Sequence, residues 1–141
     1  MMLGRRLARD QDGVAAIEMA FSLPILFVMI YMLFQFAQVY RAIAGIQQAL
    51  GEGARYATLC LNPSALGCTT PDADSIKTKI TNSVYGIGPG TFNVVTPVSG
   101  TAGTSKYFDL SVTYSQPTTL LLFPGPTVNV SRSKRVWVAG A

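Results

Sequence analysis

One acid stands where an acid is expensive. Glu18 lies near the start of an apolar stretch, and the 22 residues that follow it, Met19 to Tyr40, carry no formal charge. A charged side chain at a bilayer centre costs about 2.5–3.5 kcal/mol on insertion scales, so an intramembrane acid marks function. Gly13 precedes Glu18 by five positions, at the border between a charged leader and the apolar run. The only two thiols are Cys60 and Cys68, in CLNPSALGC. One pairing is possible, and a disulfide closing that loop is worth about 2.6 kcal/mol in the chain-entropy model.

Other chemistry is hard to assemble. The chain has no histidine, so it lacks the usual general base near neutral pH. A metal site is disfavoured, since there is neither histidine nor a second cysteine pair. Asp72 and Asp74 fall at a helix start and Asp109 on the polar face of a strand. No glycine-rich phosphate loop is present. The composition points to no enzyme activity and no cofactor. Nucleic-acid binding is also disfavoured, because the basic residues are scattered and do not interleave with aromatics.

These residues need elements to position them. The chain has 141 residues, 49% hydrophobic and 13% charged, with a formal net charge of +4. That length allows one small domain and one membrane segment. Residues 14–40 form the one spanning candidate. Arg5, Arg6 and Arg9 before it predict a cytoplasmic N-terminus and an exported remainder, where Cys60 and Cys68 can oxidise. Beyond Tyr40, Ile43, Ile46, Leu50, Ala54 and Ala57 continue one helical stripe. A helix from Val14 to Ala57 would be about 66 Å long, roughly twice the hydrocarbon thickness. Residues 41–57 therefore project from the membrane and pack on the rest. Pro24 should kink the membrane half. Glu52 and Arg55 can pair at i,i+3.

Residues 58–141 read as a small α+β domain. Asn62 to Pro71 form a disulfide-closed loop. Asp72 or Asp74 caps a short helix whose Ile76, Ile80 and Val84 share one face, ended by Gly86 and Gly88. Three to five short antiparallel strands follow. YFDLSVTYS alternates cleanly, TFNVVT, TVNV and RVWVA are shorter, and SGTAGTS reads as a flexible loop tip. VSRSKRV fits a turn or bulge between two strands, and Pro117, Pro124 and Pro126 punctuate connections. Tyr107 and Trp137 read as sheet residues.

Together, Gly13, Ala16-Ile17-Glu18, Leu23-Pro24 and Glu52-Gly53-Ala54-Arg55 resemble the TadE-like family of minor pilins or pseudopilins of tight-adherence (Tad, or Flp) pilus systems. The resemblance covers about residues 5–57. One departure is Met19, where an aromatic often follows the acid in the Flp major pilin; the chain is also much longer than that major pilin, which favours a minor subunit. The resemblance implies cleavage between Gly13 and Val14 by a prepilin peptidase, with loss of leader 1–13. It implies that Glu18 pairs with the new Val14 amine of a neighbouring pilin subunit and so sets axial register, with Tad inner-membrane machinery and the lipid bilayer as further partners. At about 4 Å and an effective dielectric near 20, such a pair attracts by about 4 kcal/mol. It further implies an inner-membrane protein with its C-terminal domain in the periplasm, acting in initiation or at the tip of a pilus.

Plainer readings stand beside it. Glu18 could snorkel to the cytoplasmic interface. The chain could be a secreted protein whose signal peptide is cut after Ala44, although Glu18, Pro24 and Arg41 interrupt such a signal. It could also be an uncleaved, membrane-anchored binding protein.

Overall fold

The computed structural model describes residues 11–59, 71–120 and 123–138. Helix α1 (Gln11–Ala57) is followed by α2 (Ala73–Val84) and three strands, β1 (Thr91–Ala102), β2 (Ser105–Leu120) and β3 (Phe123–Val138). The strands form one antiparallel sheet in the order β1-β2-β3. This is the expected α+β arrangement. Cys60, Cys68 and the loop between them lie outside the described residues.

Helix α1 has 47 residues, about 70 Å at 1.5 Å per residue. It starts at Gln11, ahead of the expected Val14, and continues through Pro24. Burial along it is graded. Residues 13–27 are exposed. Val28, Tyr31, Gln35 and Val39 are half-covered, and Ala42, Ile46, Ala49, Gly53 and Ala57 are buried. Those steps of three and four residues form one stripe. Ile43, placed in the stripe by its hydrophobicity, is only half-buried; its neighbour Ala42 occupies the contact. Small residues dominate the seam because α2 comes very close. A Cβ on Gly53 would meet Ile80 Cγ1 at 2.5 Å, and one on Gly45 would meet Ile87 Cγ2 at 2.6 Å.

Helix α2 follows its sequence closely. The Asp72 carboxylate accepts from the Ser75 backbone N–H at 3.1 Å, so Asp72 rather than Asp74 is the N-cap. Ile76, Ile80 and Val84 are buried against α1 and the sheet. The sheet's inner face brings Leu110, Val112 and Tyr114 to the same core. The Tyr114 hydroxyl donates to Gln116 Oε1 at 2.6 Å and accepts from the Gly90 N–H at 3.1 Å, which satisfies the buried polar groups there.

The sheet corrects three expectations. First, SGTAGTS is not a loose tip: β1 and β2 run to Ala102 and Ser105 and leave a two-residue turn, with Gly103 at φ +62°. Second, VSRSKRV is no turn. Ser131 to Arg135 stay paired with Thr113 to Asp109, in one continuous β3. Arg132 and Lys134 share a face with the core residues Val112 and Leu110, but β3 is the edge strand and both side chains stay exposed. Inward charges of this kind also guard an open edge. Third, Pro117, Pro124 and Pro126 lie within strands. The pairing with β1 ends at Ser115, so Pro117 sits where β2 has a single strand neighbour, next to a register shift. Pro124 and Pro126 are on the edge strand, where a missing donor is tolerated.

Past Ser115 the sheet narrows to a two-stranded ribbon. It runs down α1 toward the exposed half, opposite in direction to the helix. Tyr31 Oη and Thr119 Oγ1 are 2.6 Å apart. The Gln35 side-chain amide donates to the Thr119 carbonyl and accepts from the Thr119 N–H. An isolated two-stranded ribbon is marginal in water, so these helix contacts hold its end.

Candidate functional site

Three acids outside the apolar run, Glu52, Asp72 and Asp109, are committed to structure. Glu52 accepts from the Ser83 hydroxyl at 2.7 Å, and this bond, with help from Gln48, Lys79 and Arg55, holds its carboxyl below the usual range. The expected Glu52–Arg55 ion pair is not what forms among the described residues; the ion pair there is Asp109–Arg135. Those two face each other across β2 and β3 in a bidentate pair at 2.7 Å, which lowers the Asp109 pKa. The guanidinium also sits 4.1 Å from the Tyr107 ring centre, and Tyr107 meets Trp137 edge-on at 5.3 Å. Tyr107 and Trp137 are sheet residues, as expected. Asp72 is lowered by its hydrogen bonds with Ser75. Asp72, Asp109 and Glu52 thus have separate partners on separate elements, and no cluster of metal-ligating side chains occurs among the described residues.

What remains is the bare half of α1. Its most apolar window has a mean hydropathy of 2.1 and none of it is buried. Phe21, Ile25, Phe27 and Leu33 are each at least 61% exposed. A patch this large on a folded chain needs a cover of lipid or of other helices. The helix is long and apolar enough to cross a membrane.

Glu18 sits on this surface, exposed, with Gly13 and Val14 one turn earlier in the same helix. Val14 and Glu18 are four apart, so they share a face. Gly13 has open space around its Cα. Pro24 lies between this group and the packed half.

Residues 13–55 match the family model of TadE-like proteins. The match begins at Gly13 and spans nearly all of α1. This agrees with the resemblance to TadE-like proteins read from the motifs. No curated protein and no solved structure matches the chain. The sheet domain lies outside the TadE-like segment.

Two sets of contacts escape the hydrophobic pattern. Gly45 and Gly53 matter for what they lack; their signal is the recurrence of Ala42, Ala49 and Ala57 at similar spacing on the same face. Tyr31 and Gln35 are polar-tipped residues four apart inside an uncharged run. That spacing was a usable sign of a partner on one side of the helix.

Proposed function

We propose that this chain is a structural minor pilin or pseudopilin that assembles with other pilins of a Tad pilus, and that it is not an enzyme. The observation that carries this reading is the exposed apolar half of α1, with Gly13 at its border and Glu18 within it, inside the segment that matches TadE-like proteins. The basic leader supports a cytoplasmic N-terminus, with the α+β domain in the periplasm. A prepilin peptidase cuts between Gly13 and Val14. The new amine of one subunit then pairs with Glu18 of the next, and the packed half of α1 holds the core of the domain on the periplasmic side.

The helix start bears on the cut. Gly13 and Val14 lie in the first turns of α1. Peptidases take extended substrate, so this turn has to open. Glycine costs about 1 kcal/mol relative to alanine in a helix and helps it to do so. Gly13→Leu favours the closed turn and is expected to block processing. Intact mass of the membrane protein, with the peptidase present and deleted, reads this directly. Retention of residues 1–13 in both samples refutes the assignment, and an N-terminus at Gly45 would favour a signal peptide instead.

The same topology puts Cys60 and Cys68 in an oxidising compartment, where they form a disulfide. Alkylation without reductant is expected to find no free thiol. Full labelling of both would refute the bond and question the topology.

A further inference from the structure

We propose that the end of the β2–β3 ribbon is a second membrane-inserting element, seated among the headgroups and upper acyl chains of the leaflet nearest the folded domain. This rests on reading α1 as a membrane anchor.

The first argument is depth. A hydrocarbon core of about 30 Å takes about 20 helical residues, which reach Met32 if counted from Gly13 and Gln38 if counted from Met19. The ribbon end touches α1 within that limit or at its edge. Thr119 is bonded to Tyr31 and Gln35. Met32, Phe36 and Val39 face Pro126 and Val128 across an apolar cleft of about 200 Å³. A helix that spans with residues 14–40 therefore carries the ribbon end into the interface.

The second argument is chemistry. Leu110 to Ser131 are 22 residues without a formal charge, beside an equally long uncharged run in α1. The charges of β2 and β3 all lie toward the other end: Lys106, Asp109, Arg132, Lys134 and Arg135. At the tip Phe123 is 69% exposed, with Pro124 next to it also exposed. An exposed aromatic at the end of an uncharged ribbon, continuous with a bare spanning helix, fits a lipid surface. Thr119 at this depth has its backbone N–H and carbonyl met by Gln35, as backbone close to hydrocarbon requires.

The chain has one tryptophan, Trp137, at the charged end of the ribbon, which makes the test direct. The full chain is reconstituted in phosphatidylethanolamine–phosphatidylglycerol vesicles in three forms: wild type, Phe123→Trp with Trp137→Phe, and Phe27→Trp with Trp137→Phe. Emission is read with brominated lipid and with aqueous iodide. The expected result is lipid quenching and blue-shifted emission for the probes at 123 and 27, and iodide quenching for Trp137. If the probe at 27 meets lipid while that at 123 meets only iodide, the insertion is refuted and the anchor stands. A probe at 123 shielded from both quenchers points to a second copy covering the tip, and also overturns the proposal. Lipid quenching of Trp137 as well would mean that the whole sheet lies on the membrane, contrary to insertion by its end. Failure of the probe at 27 to meet lipid removes the anchor reading itself.

Discussion

Cells carrying Glu18→Ala in place of the wild-type chain are expected to insert the protein normally and to make few or no pili. Glu18 is exposed on α1 and surrounded by apolar side chains. Removing an acid from a spanning segment eases insertion, by up to about 2.5–3.5 kcal/mol if the site is central. Under the proposed pairing, the loss is expected in assembly, because a neighbouring Val14 amine is left without its partner. Breaking one side of a desolvated charge pair costs about 3–5 kcal/mol, more than the pair itself is worth, since the surviving charge stays uncompensated. Glu18→Gln keeps a hydrogen-bonding group but not the charge, and is expected to fail nearly as badly. Crosslinking to partner pilins and pilus counts, at matched protein levels, are the measurements. Normal pili in Glu18→Ala would leave interfacial snorkelling as the better account of this acid. Residue 18 touches no part of the folded domain, so thermal unfolding of that domain is expected to be unchanged.

The second large effect is the reverse case, stability lost without a direct change at the bare helix. Leu110 is fully buried in the centre of β2, and its Cδ1 lies 3.6 Å from where a Gly53 Cβ would stand. It fills the space left by the small seam of α1. Leu110→Ala is expected to cost about 2–5 kcal/mol, the transfer term plus the cavity. Against a typical total of about 5–15 kcal/mol this is severe. Denaturant unfolding in detergent should show a lower midpoint with an unchanged slope. In cells, the variant should fall in abundance, while the proposed cut after Gly13 should be unaffected in the protein that survives. A stability loss below about 1 kcal/mol would mean that α1 and the sheet close up over the gap, and that the small seam is not a tight joint.

The two variants separate the halves of the chain, and those halves differ in how well they could be read. The helix, its apolar half and the odd placement of Glu18 follow from local facts, namely hydropathy over a long window and one charge against it. The cap at Asp72 and the face of Ile76, Ile80 and Val84 are equally local, since i,i+3 and i,i+4 geometry is all they need. The sheet was less legible. Arg132 and Lys134 look like a break in a strand until β3 is known to be an edge. Pro117 looks like a connector until β1 is known to stop short of it. Polar and proline residues change meaning with the number of neighbours a strand has, and that number depends on residues far away in the chain.

Sequence alone, then, determined the α+β arrangement, the long apolar helix and the placement of Gly13 and Glu18 at its start, because amphipathic periods and a charge in an apolar run are properties of contiguous residues. The tertiary structure alone decided that Gly45 and Gly53 admit α2 and its exit to α1, and that β3 is one strand. It alone brought Thr119 against Tyr31 and Gln35, 84 to 88 residues earlier. Those are matters of which surfaces meet. A glycine's missing Cβ, or a glutamine's amide in an uncharged run, has no visible purpose until the opposing backbone is in place.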